Sequence, residues 1–226
     1  MPFTSSHPAL ILPLAYLPRK YVSMTGLIVG SLMPDFEYFV RWRNWSTLSH
    51  TPEGIFLFCL PMGLLTCFIF HNIVRDPFIN NLPLFLKARF IKITQIDWNK
   101  KFIENWRWLV VAISIVIGAA SHVFWDSFTH GPYRPNQLPS TIIGEIIILY
   151  VIYKMPRDGS AAAGFSIKYW AAFLLLAAAI MSARVLITKL PFDMGIIGTF
   201  IVSWITSSLI SITVVSFVWN LRRRKA

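Results

Sequence analysis

An all-α, polytopic bundle of membrane helices is what this sequence predicts: about six long segments and one short partial segment at the N-terminus. Three observations predict it. Only 14% of the 226 residues are charged and 55% are hydrophobic, whereas a soluble domain carries about a quarter charged residues. The apolar residues fall in runs, and a helix needs about 20 of them in a row to cross hydrocarbon. The basic residues gather between those runs and at the C-terminus, where topology signals sit. The formal net charge of +11 therefore reads as membrane topology, and nucleic acid is excluded as a partner.

The first stretch, HPALILPLAYL at 7–17, is half a span at about 1.5 Å per residue, and Pro13 breaks it. It reads as a re-entrant or tilted partial segment. With no basic residues ahead of it, it does not read as a signal peptide. Long segments follow at 21–40, 54–74, 108–128, 140–153, 169–188 and 195–220, the fourth starting nearer Leu138. Cys59 and Cys67 fall inside the second and read as small buried apolar residues, so no disulfide is expected. The only sizeable polar stretch, 75–107, mixes charges with apolar residues. It reads as an interfacial piece, leaving 1–226 as one integral membrane domain. Alternating the six segments with the basic C-terminus inside puts 75–107 in the cytoplasm. Of the 21 basic residues, only Arg41, Arg43, Arg134, Arg184 and Lys189 then lie outside.

Polar residues interrupt this apolar chain in a few places. ASHVFWDSFTHG, 120–131, sets His122, Asp126 and His130 at every fourth position. Positions i and i+4 share a helix face, so His122 and Asp126 can hold one ion. His130 lies a further turn along, about 12 Å from His122 by helical rise, and Gly131-Pro132 should end the helix there. GSLMPDFEYF supplies Asp35 and Glu37, and LSHTPEG supplies His50 and Glu53. The alternating layout brings these to the outer face, and His7 joins them if the partial segment dips in from that side. Ionisable residues within a membrane are functional candidates. Imidazole with carboxylate suits a divalent ion, whether zinc, manganese, iron or nickel, with magnesium also considered. The expected ligands are His50, His122 and Asp126, then Asp35 and His7, with His130 near. Plain ion pairs, Asp126 with Arg134 and Asp35 with Arg41, are the alternative, and His71 reads as an ordinary hydrogen-bonder. Glu53 or Glu37 could serve as general base, and Arg41, Arg43 and Arg134 could grip a phosphate.

The blocks MPFTSSHPA, GSLMPDFEYFVR, LSHTPEGIFLF, FHNIVRDP and SHVFWDSFTHG resemble, in order and spacing over about residues 1–135, the bacterial membrane proteins grouped as domain of unknown function 4184. More distantly, the order His, Pro-Asp, Ser-His, then Ser-His with a following Asp is similar to inner-membrane metal-dependent hydrolases. That second resemblance implies His7, Asp35, His50, His122 and Asp126 as ligands, and a bacterial inner membrane as the location. In that wider group the Pro-Asp block commonly continues with a second Asp and a His. Here Glu37 and Tyr38 stand in those places.

These readings lead to a metal-dependent hydrolase of a lipid-like ester, phosphate or diphosphate at the outer face. No large soluble domain is expected over the site, so a substrate with an acyl or prenyl tail would enter from the bilayer. One alternative is a prenyl-diphosphate lyase or terpene-cyclase-type enzyme, using some of the 9 Trp and 18 Phe for cation–π contact. The aspartate-rich clusters usual in such enzymes are missing. The other alternative is a non-enzymatic metal carrier or membrane scaffold. There Glu145 would be either a transport residue or a carboxylate bonded to a neighbouring helix.

Overall fold

The computed structural model describes residues 4–43, 45–129, 135–162, 164–188 and 196–223. Among these, every regular element is helical. A short α1 (Pro8–Ile11) lies between 3₁₀ turns at Thr4–Ser6 and Leu12–Tyr16. Then come α2 (Met24–Arg41), α3 (Pro52–Asn80), α4 (Leu84–Thr94), α5 (Trp98–Ile103), α6 (Arg107–Asp126), α7 (Gln137–Lys154), α8 (Ile167–Thr188) and α9 (Ile196–Arg223). Five of these, α3, α6, α7, α8 and α9, are long and apolar enough to cross a membrane.

The first expected segment forms as α2, but its apolar run ends at Met33. The helix continues through Pro34 and carries Asp35, Glu37 and Arg41 to its end, so it is not one of the five. α3 starts where expected. Thr51 caps it by accepting from the Gly54 N–H at 3.0 Å, and Pro52 takes the first helical position, where its missing N–H costs nothing. It runs past 74 to Asn80, with wider π-type turns at Ile55–Cys59 and Phe70–Val74. The polar stretch 75–107 is helical through the end of α3, α4 and α5. α4 turns Leu84 and Phe85 outward and buries Lys87 and Arg89.

The chain forms two compact units. The first takes the described residues of Met1–Glu37, Ser46–Cys67 and Asp97–Pro156. Its core is Val29 and Met33 of α2, Ile55, Cys59 and Cys67 of α3, and Val111, Ile115 and Ala119 of α6. α2 and α6 meet backbone to backbone. A Cβ on Gly30 would stand 2.2 Å from the Ile115 carbonyl oxygen, and one on Gly118 would stand 2.3 Å from that of Leu27. Small residues permit this close crossing, as they do between membrane helices generally. Across the same seam the Ser23 N–H donates to the Ser114 hydroxyl at 3.0 Å.

The second unit takes the described residues of Tyr38–Trp45, Phe68–Ile96 and Arg157–Ala226. α8 packs along α9 through hydroxyls on small side chains. Tyr169 and Ser216 share a hydrogen bond of 2.9 Å, and Ser211 donates to the Phe173 carbonyl at 2.7 Å. Asn220 donates to the Ile73 carbonyl at 3.0 Å and Trp170 to that of Asn81 at 2.8 Å, tying α9 and α8 to α3. Buried Arg75 donates to the Ile96 carbonyl at 2.8 Å, closing the turn after α4.

Candidate metal centre

Five ionisable side chains of the first unit converge from four stretches of chain. His7 opens α1 and is buried. The segment carrying it packs against α6 and α7. The Ser5 hydroxyl donates to the Glu145 carboxylate of α7, and a Cβ on Gly144 would fall 2.8 Å from the Ser6 Cβ. Asp35 follows Pro34 in α2 and is buried. His50 belongs to the short loop between α2 and α3. His122 and Asp126 sit one turn apart on α6, as their spacing requires.

Nε2 of His122 lies 3.6 Å from Asp35 Oδ1 and 3.3 Å from Asp126 Oδ2. Nε2 of His50 lies 3.5 Å from each of the same two oxygens. Nε2 of His7 lies 3.7 Å from the other Asp126 oxygen, Oδ1. Asp126 thus divides its carboxylate, one oxygen towards His50 and His122 and the other towards His7. The rings of His7 and His122 stack with centroids 3.6 Å apart, and His50 meets His122 edge-on at 5.4 Å. Two trios, His7–His122–Asp126 and Asp35–His50–His122, each bring their ligand atoms within 4.8 Å of one another, close enough to hold a metal ion.

Backbone and hydroxyl groups set which way two of the rings face. Nδ1 of His122 is 2.7 Å from the Ser31 carbonyl. A carbonyl only accepts, so Nδ1 carries the hydrogen, and in the neutral ring Nε2 holds the lone pair that faces the carboxylates. Nδ1 of His50 lies 3.0 Å from the Ser46 hydroxyl and 3.1 Å from that of Ser49, which again turns Nε2 inward. Burial alone would lower the pKa of His50, but the carboxylates of Asp126 and Asp35 override it and raise it to about 9. A proton held there competes with any cation for the same nitrogen.

The other residues singled out in the sequence fall elsewhere. Both oxygens of Glu37 accept hydrogen bonds from the loop at 47–49. Glu53 is exposed in the first turn of α3. Arg41 and Arg43 are exposed in the second unit, with Arg41 over the Trp45 ring at 5.7 Å. His71 is buried in that unit, its Nδ1 3.4 Å from Arg75 Nη1, an ordinary hydrogen-bonding position. His130 and Arg134 lie outside the described residues. The roles of Ser31 and Ser46 around the rings carry no sequence signal, whereas Ser49 belongs to the Ser-His pair read in the sequence. The α2–α6 crossing does carry one, since Gly26 and Gly30 stand four apart in an apolar helix.

Residues 1–132 match the family defined by domain of unknown function (DUF4184). The match covers more than half of the chain, and the chain belongs to that family. His7, Asp35, His50, His122 and Asp126 all lie within it. No curated protein and no solved structure matches the chain.

Proposed function

We propose that this member of the family is a membrane-embedded, metal-dependent hydrolase of a lipid-like ester, phosphate or diphosphate. One observation carries the reading: three imidazoles and two carboxylates face each other with N···O separations of 3.3–3.7 Å. Charge-assisted hydrogen bonds would draw such pairs to about 2.7–2.9 Å. Donor atoms about 2.1 Å from a shared tetrahedral ion stand roughly 3.4 Å from one another, and the separations fall around that value. Three imidazoles favour zinc, manganese or iron over magnesium, which prefers an all-oxygen shell with several waters.

A bound divalent ion supplies Lewis acidity and lowers the pKa of water towards about 7. The chain's own residues supply the rest. Ser31 holds His122 in the ligating tautomer, and Ser46 and Ser49 orient His50. The side chains of His50 and Asp126 are 24% and 13% exposed, while those of His7 and His122 are fully buried. Water and substrate would therefore approach from the His50 and Asp126 side. Glu53, exposed three residues after His50, is available as general base, because the oxygens of Glu37 are engaged by the loop. The five apolar helices favour a substrate drawn from the bilayer. We propose a bacterial inner membrane, as the resemblance to inner-membrane hydrolases implies, with the C-terminus on the cytoplasmic side, which Arg222 and Arg223 at the end of α9 support.

The test is metal content of the detergent-purified protein by elemental analysis, beside folded His122→Ala and Asp126→Asn variants. Near-stoichiometric metal in the parent, lost in both variants, is expected; a parent that takes up no divalent ion on reconstitution refutes the reading. Substrate screening then separates the enzyme classes. A hydrolase releases free phosphate or fatty acid, whereas a lyase or cyclase converts a prenyl diphosphate to diphosphate and a hydrocarbon.

A further inference from the structure

We infer that Glu37 is a positioning residue of the metal centre: it is the strut that fixes His50 against Asp35. The inference rests on the metal reading above and gives Glu37 a role that is neither ligand nor base. Glu37 sits on α2 half a turn beyond Asp35 and is 2% exposed. One of its oxygens accepts from the Thr47 N–H and the Thr47 hydroxyl, each at 3.1 Å. The other accepts from the N–H groups of Leu48 at 3.1 Å and Ser49 at 2.7 Å. Successive backbone N–H groups curled around one anion form a nest, and here a side chain of the same unit fills it. His50 is the next residue after that nest. Ser49 itself is fully buried, its hydroxyl 3.1 Å from the His50 ring and its carbonyl accepting from Cys59 Sγ at 3.5 Å.

The geometry follows from these bonds. Without the carboxylate, the 46–51 loop would have three backbone N–H groups facing inward and no acceptor for them. With it, the loop is clamped to the helix turn that carries Asp35, and the 3.5 Å separation of His50 Nε2 from Asp35 Oδ1 is set. Glu37→Gln tests this sharply. The amide keeps one accepting oxygen but turns its NH₂ group towards the N–H of Thr47 or those of Leu48 and Ser49, so one side of the nest is opposed. Glu37→Asp keeps the charge and shortens the strut by one methylene.

The experiment uses the full chain in detergent and has two arms. In the metal-free protein, hydrogen–deuterium exchange of the 46–51 loop should speed up at least about tenfold in Glu37→Gln, with helix exchange elsewhere unchanged, and less in Glu37→Asp. In titrations with zinc(II) and cobalt(II), Glu37→Gln should weaken binding about ten- to hundredfold, as losing a group that orients a ligand does, and should alter the cobalt visible spectrum. The double variant Glu37→Gln/His50→Ala should bind no more weakly than His50→Ala alone, since the strut acts only through His50. Additive losses would overturn the inference by making Glu37 a ligand in its own right. Unchanged affinity in Glu37→Gln would overturn it as well. Unchanged exchange of the loop would overturn it regardless of any metal. A parent that binds neither ion refutes the metal reading, and the exchange arm then still decides whether Glu37 holds His50.

Discussion

Gly30→Ala probes whether the α2–α6 crossing sets the geometry of the centre. The added Cβ would fall 2.2 Å from the Ile115 carbonyl oxygen, where ordinary contact begins at 3.4 Å, so the helices must separate by about 1 Å. The obstacle is backbone on both sides, so no side-chain rotation relieves it. Asp35 rides on α2 and His122 on α6, with Oδ1 and Nε2 3.6 Å apart. Two donors on opposite sides of one ion stand at most about 4.2 Å apart, and a further ~1 Å takes this pair beyond that limit. Metal affinity should fall at least tenfold, with about 1–3 kcal/mol of stability lost to overpacking. The assay is competition with a chromogenic chelator, run beside thermal unfolding in the same detergent. Gly159→Ala is the control, because a Cβ there meets nothing within 4 Å. Parent-like affinity in a folded Gly30→Ala variant would refute the claim that this crossing positions the ligands. Gly118→Ala, on the facing helix, should reproduce the loss.

The pKa of His50, raised to about 9 by its carboxylate neighbours against the lowering effect of burial, predicts opposite pH responses for the two forms of the protein. A raised folded-state value stabilises fully below the ordinary imidazole value near 6.5 and is lost as pH climbs to 9. The metal-free protein should thus unfold more easily across that window. The loaded protein should gain, since the ion displaces the proton, and thermal unfolding across the window reads both slopes. Glu145→Ala should release the segment at 4–11, seen as faster hydrogen exchange there. If Glu145 served transport instead, metal uptake into vesicles would fail while that exchange stayed slow. Cys59 and Cys67, both fully buried, should resist maleimide labelling until the chain is unfolded, and rapid labelling of native protein would contradict the core described for the first unit.

Long apolar helices were legible in the sequence because hydrophobic length is a local property, and α3, α6, α7, α8 and α9 lie close to where composition puts them. α2 was legible as a helix, but its last two turns trade apolar residues for Asp35, which faces the cluster, and Glu37, which binds the loop at 47–49. The pairing of His122 with Asp126 follows from helical spacing alone. What brings His7 to them does not: Ser5 and Glu145 are 140 positions apart, and no periodicity links them. Glu37 was legible as a candidate base, but its bonds to the loop at 47–49 were not. The N–H groups it binds belong to backbone, which leaves no mark in side-chain pattern. The Ser31 carbonyl that orients His122 was hidden for the same reason.

The cluster draws its members from both ends of a long stretch of chain, His7 at one and Asp126 at the other, and this has a consequence during synthesis. The early imidazole and the first carboxylate leave the ribosome more than 70 residues before α6 begins, so the centre cannot close until that helix has entered the bilayer. Until then α2 lacks the partner whose backbone its glycines fit, and the N-terminal segment lacks the helices that cradle it. Capture of an ion would therefore be a late event, one that reports a correctly inserted chain and fastens its first-made piece to its later ones.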